Sequence, residues 1–244
     1  PLMLTMLIPL FMIREPSSLD SSAKTYRSVG LAASLRYTMG NRSFVTWMLV
    51  HSLMQFGVQL FLSGINEYFS FVGLNMVVVM GASFAPVPLT LLLYNRVIRK
   101  KGFGFAFRYV LLSFSLSMIF MLFVGIMPAS TLKTGLSLAA GLGCSFAIGA
   151  LFAVAYSIPS QLAAEEEERT GVSNSAMYFA VQGLFSGVAT GIATGIVLVA
   201  LKGTGDSNSS AITYMTAISG AGTLVAMLFT YLLPKSLQMM GRKE

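Results

Sequence analysis

Residues 105–127, FAFRYVLLSFSLSMIFMLFVGIM, hold one charge, Arg108, and after the turn 128–133 a second apolar run follows at 134–160, TGLSLAAGLGCSFAIGALFAVAYSIPS. A bilayer core about 30 Å thick needs roughly 20 apolar residues in a helix, so each run is long enough to span. A helix satisfies its own backbone in lipid, so these runs read as membrane helices. Working outward gives four more spans, at 43–65, 72–94, 174–201 and 210–233, the last stopped by Pro234. The whole sequence agrees: 244 residues, 55% hydrophobic, 10% charged, with a mean hydropathy of +0.75. Soluble domains carry about 25% charged residues, so a water-facing surface is excluded.

The expected fold is an all-α membrane protein with a six-helix transmembrane bundle over 43–233. Ahead of it, the apolar run Leu2–Ile13 is too short to cross and reads as the tail of a truncated helix. Residues 14–42 read as a polar linker with an amphipathic stretch near 26–39, and 234–244 as a tail. Cys144 is the only cysteine and lies in an apolar segment, so no disulfide forms within the chain.

The formal charge of +7 is distributed by topology. Arg14, Lys24, Arg27, Arg36, Arg42, Arg96, Arg99, Lys100, Lys101, Arg169, Lys235, Arg242 and Lys243 all fall on one side of the expected spans, and Lys133 and Lys202 on the other. The positive-inside rule makes the richer side, with linker and C-terminus, cytoplasmic. Scattered topological cations are not a nucleic-acid groove, and no nucleic-acid partner is expected. The acidic turn 161–173, with Glu165, Glu168 and Arg169, reads as a solvated loop or as a gate that pairs with basic residues such as Arg99 and Lys100.

Polar residues within the spans are the candidates for function, because turning them to lipid is costly. His51, Gln55 and Gln59 recur at steps of four on one face of the first span, with Glu67 at its outer end as a further gating candidate. In the fifth span Tyr178, Gln182, Ser186, Thr190 and Thr194 recur at the same step, beside Gly183, Gly187, Gly191 and Gly195. The glycine flank fits tight helix packing, and Tyr178 and Gln182 fit a polar cavity lining. For Thr190 and Thr194 a bond back to the preceding turn is expected. Pro86 and Pro88 predict a kink or break in the second span. The complete spans contain no mid-membrane Asp, Glu or Lys, and the chain has no nucleotide loop, HExxH, metal cluster or GxSxG. His51 without a carboxylate partner does not make an active site, so no enzyme and no resident cofactor are expected.

Six spans behind a charged linker resemble the C-terminal half of the major facilitator superfamily. Tyr156-Ser-Ile-Pro159, the acidic turn, Arg169-Thr-Gly171 and Tyr178-Phe-Ala-Val-Gln182 resemble the glycoside–pentoside–hexuronide:cation symporter family, to which the melibiose carrier belongs. Ser34-Leu-Arg36, Asn41-Arg42-Ser-Phe44 and the basic turn 95–101 are similar to it as well. The resemblance implies a twelve-helix fold whose N-terminal half is this chain's partner. It further implies alternating access to a central site for a sugar or related small solute, and a coupling cation, Na+ or H+, held mainly by that other half. Gln182 matches a glutamine of the family's eleventh helix, whereas Gly187 stands where melibiose-type members have a lysine. His51, Gln55, Gln59, Tyr178 and Gln182 are the expected substrate-binding residues. The alternatives are an amphiphile carrier of the same superfamily, such as a lysolipid transporter, and a non-transporting membrane scaffold. A plasma or bacterial inner membrane is the expected location, with lipid around the bundle.

Overall fold

The structure is a computed structural model and describes residues 31–171, 174–203 and 210–241; the short apolar segment 1–13 and most of the linker lie outside these. Among the described residues the chain is helical throughout. The helices are α1 (Leu31–Gly40), α2 (Arg42–Val72), α3 (Met76–Phe84), α4 (Val87–Lys101), α5 (Phe103–Ile126) and α6 (Thr131–Thr170). They continue with α7 (Ser175–Lys202), α8 (Ser210–Leu232) and the short α9 (Lys235–Met239). Six of these units are long and apolar enough to cross a bilayer, α3 and α4 together counting as one. The protein is therefore an integral, multi-pass membrane protein.

Local chemistry sets the boundaries. Asn41 and Asn75 cap α2 and α3, each side-chain oxygen accepting from backbone N–H groups of the first turn. Gly73, with φ of 70°, ends α2 in the left-handed conformation that glycine tolerates best. Pro86 and Pro88 divide the second span into α3 and α4, as expected, because each ring removes a backbone donor.

Two expectations are corrected here. The basic turn 95–104 is mostly helix, since α4 continues to Lys101, where Arg99, Lys100 and Lys101 face the negative end of the helix dipole. The acidic turn 161–173 is helical through Thr170, because its Gln, Leu, Ala and Glu residues are strong helix formers and only Gly171, with φ of 69°, stops them. Helix α6 therefore has 40 residues. At 1.5 Å per residue it is about 60 Å long and projects well beyond the hydrocarbon.

Helices α2, α8, α5 and α6 form the packed centre, with α7 flanking α2 and α3–α4 flanking α6. In the most apolar window of each flanking span only 17% of residues are buried, against 44% or 50% in the other four, so the flanking helices keep large surfaces for lipid or another protein. Hydroxyl groups bonded to main-chain carbonyls run through the centre. Ser219 donates to Gly57 between α8 and α2, and Ser115 to Gly220 between α5 and α8. Ser113 donates to Gly143 between α5 and α6, and Thr90 to Ser145 between α4 and α6. Three of these carbonyls belong to glycines, where the lack of a side chain lets the backbones approach. At Gly57 an added methyl would lie 2.6 Å from the Ser219 carbonyl oxygen. Such bonds contribute about 0.6 kcal/mol each in a membrane, so close packing and hydrogen bonding act together.

Candidate functional site

Among the described residues no comparable chain of bonds joins α2 to α6 at mid-membrane. Between them, with α3 on one side and Phe114 and Met121 of α5 at the back, lies a cavity of about 140 Å³. That is roughly the size of an engineered cavity that accepts a benzene ring. Helix α2 contributes Gln55, Val58, Gln59 and Leu62, α3 contributes Val79, Met80, Ser83 and Phe84, and α6 contributes Cys144, Ile148, Leu151 and Ala155. The lining is apolar except at Gln55, Gln59, Ser83 and Cys144. Ser83 donates to the Val79 carbonyl of its own helix, so the two amides are the main uncommitted polar groups. Their step of four puts both on one face, and the half-buried environment keeps them out of the packed core.

The other expected substrate residues lie elsewhere. His51 is 2% exposed, its ring stacks on Trp47 at 5.5 Å, and its Nδ1 has no hydrogen-bond partner. Gln182 is committed at both ends of its amide: Oε1 accepts from Trp47 Nε1 at 2.9 Å, and Nε2 donates to the Ala155 carbonyl at 2.7 Å. Tyr178 is fully buried, packs 4.5 Å from the Phe44 ring and accepts at its hydroxyl from Asn41 Nδ2 at 2.8 Å. Trp47, Gln182, Asn41 and Tyr178 tie α2, α7 and α6 together beyond the Ala155 end of the cavity, whereas Gln55 and Gln59 line it.

A second set of bonds holds the opposite end. Glu67 of α2 pairs with Lys202 of α7, and the buried Lys133 of α6 donates to the Val72 carbonyl at the end of α2 at 2.9 Å. So both cations of the charge-poor side are engaged with α2. On the charge-rich side Arg169 pairs with Glu166 one turn away on α6, its Nη2 donating to both carboxylate oxygens at 2.8 Å. Glu166 is 5% exposed, while Glu165, Glu168, Arg99 and Lys100 are exposed. Glu165 accepts from Gln161 at 3.3 Å.

Among the described residues nothing packs on Gly183, Gly187, Gly191 and Gly195: a methyl at any of them would have no neighbour within 4 Å. Residues Ile192–Leu198 of α7 are wound as a π-helix. A step of four overshoots an α-helical turn and falls short of the wider π turn, so the π segment reverses the drift of the glycine row. Thr194 donates to the Thr190 carbonyl, the bond back to the preceding turn expected of Thr194.

Sequence reasoning missed Trp47, Asn41, Lys133 and Lys202 as working parts. Trp47 extends the row of four-residue steps back from His51, and Asn41 ahead of Ser43 and Phe44 is a capping signal, so both were visible in principle. Among the described residues no three His, Cys, Asp or Glu side chains gather as a metal cluster. Comparison with curated proteins and with solved structures gave no match. Compared with protein families, residues 2–236, nearly the whole chain, match the one described as MFS/sugar transport protein. The chain thus belongs to that family of the major facilitator superfamily, whose members are non-catalytic membrane carriers.

Proposed function

We propose that this chain is one half of a secondary transporter of the glycoside–pentoside–hexuronide:cation type, and that a sugar or related small solute binds at Gln55 and Gln59. The observation that supports this most is the cavity between α2, α3 and α6, with two uncommitted amides among apolar walls. Amides bond hydroxyls without demanding charge, and an apolar wall suits the C–H face of a sugar ring. The N-terminal half of the transporter packs against the open surfaces of α3–α4 and α7, with the glycine row of α7 permitting close approach, and supplies most of the coupling-cation site. On this reading the linker and the segment after Pro234 are cytoplasmic, which the cation distribution supports, and the membrane is a plasma or bacterial inner membrane. Glu67–Lys202 on one side and the Glu166–Arg169 region on the other, with Arg99 and Lys100 nearby in topology, are the gating elements.

Transport of an amphiphile such as a lysolipid is a second reading, and the mostly apolar lining favours it. Proteoliposomes holding the full-length protein are offered radiolabelled monosaccharides, glycosides and a lysolipid, with and without Na+ or proton gradients. Saturable sugar uptake that Gln55→Ala abolishes supports the first reading. Uptake of the lysolipid alone supports the second. No gradient-dependent uptake of any of them contradicts both.

A further inference from the structure

We propose that Gln182 is the lock of a hinge in α6, because its amide replaces a hydrogen bond that Pro159 cannot make. Pro159 lies inside α6 and has no N–H. The carbonyl four residues earlier, which that N–H would have satisfied, belongs to Ala155. Gln182 Nε2 of α7 donates to this same carbonyl at 2.7 Å. The other end of the amide is held by Trp47 Nε1 of α2 at 2.9 Å, and Trp47 is fully buried.

A backbone bond inside a helix breaks only when the helix unwinds. A side-chain donor from a neighbouring helix can leave while α6 keeps the rest of its ladder. The weak point is placed where movement matters. Ala155 lines the cavity on one side of the hinge, and on the other side α6 continues to Glu166 and Arg169. Bending at Pro159 would swing that extension relative to the cavity wall, and Gln182 sets its cost. Gln182 is thus a positioning residue that acts through Ala155. This holds whatever the solute is.

Amide hydrogen exchange of the full-length protein in nanodiscs tests it over residues 155–163. Gln182→Leu removes the donor, and exchange in this segment rises about five- to tenfold, the effect of one net hydrogen bond. Pro159→Ala restores the intrahelical N–H, so P159A Q182L exchanges within about twofold of P159A alone. Exchange unchanged in Q182L, or equally fast in P159A Q182L and Q182L, overturns the proposal. If Q182L does not fold, recovery of folding by P159A supports it and failure to recover overturns it.

Discussion

Lys133 at the start of α6 donates its buried ammonium to the carbonyl of Val72, the last residue of α2. The end of a helix carries unsatisfied carbonyls and a partial negative charge, and a cation there answers both. Lys133→Met leaves that carbonyl without its charged donor. We expect a loss of about 1.5–3 kcal/mol, read as a lower thermal midpoint of the full-length protein in detergent. Lys133→Arg keeps most of the stability. A midpoint unchanged by Lys133→Met contradicts the assignment.

Glu67 and Lys202 are partly hydrated, with side-chain accessibilities of 32% and 39%, so their pair is worth far less to stability. Partly hydrated pairs contribute about 0–1 kcal/mol and weaken with salt. Glu67→Gln therefore shifts the midpoint only slightly, and the shift disappears at high ionic strength. A large, salt-insensitive loss would show that the pair is structural and not a gate.

Two glycines separate packing inside this half from packing outside it. Gly57→Val drives a side chain into Ser219 and Thr223 of α8, and the protein fails to accumulate or unfolds at a much lower temperature. A Cβ added at Gly187 meets no atom of the described residues within 4 Å, so Gly187→Val is expected to leave the stability of the bundle intact, while uptake falls if a partner packs there. The paired readouts are thermal midpoint and proteoliposome uptake. Normal uptake in Gly187→Val removes that face from the interface.

Asn41 both caps α2 and donates to Tyr178. Asn41→Ala loses the cap, about 1 kcal/mol, together with the cross-helix bond. Asn41→Ser keeps the cap and loses the bond. The difference between their midpoints measures the bond to Tyr178, and equal midpoints would show that the link contributes nothing.

The number of spans and the division at Pro86 and Pro88 were legible because hydropathy and proline chemistry act locally. The acidic stretch 161–170 was misread because a charge run looks like a loop when helix propensity is left out. The four-residue steps identified the faces carrying Gln55, Gln59, Tyr178 and Gln182, since helix periodicity is a local property. They did not distinguish an amide lining a cavity from one bonded to protein. Gln182 differs from Gln59 through Trp47 and Ala155, which lie 135 and 27 residues away, and such pairings follow from how helices cross. The orphan carbonyl at Ala155 was implied by Pro159, but which helix would supply its donor was not.

A solute cavity between α2, α3 and α6 requires that water reach Gln55 and Gln59. Cysteines replace each in turn in a Cys144→Ala background of the full-length protein in membranes, and a membrane-impermeant charged maleimide is added. Both positions are expected to react from water, and a transported solute to slow the reaction. If neither reacts with the charged reagent while a lipid-soluble maleimide labels both, the amides face hydrocarbon and the account is wrong.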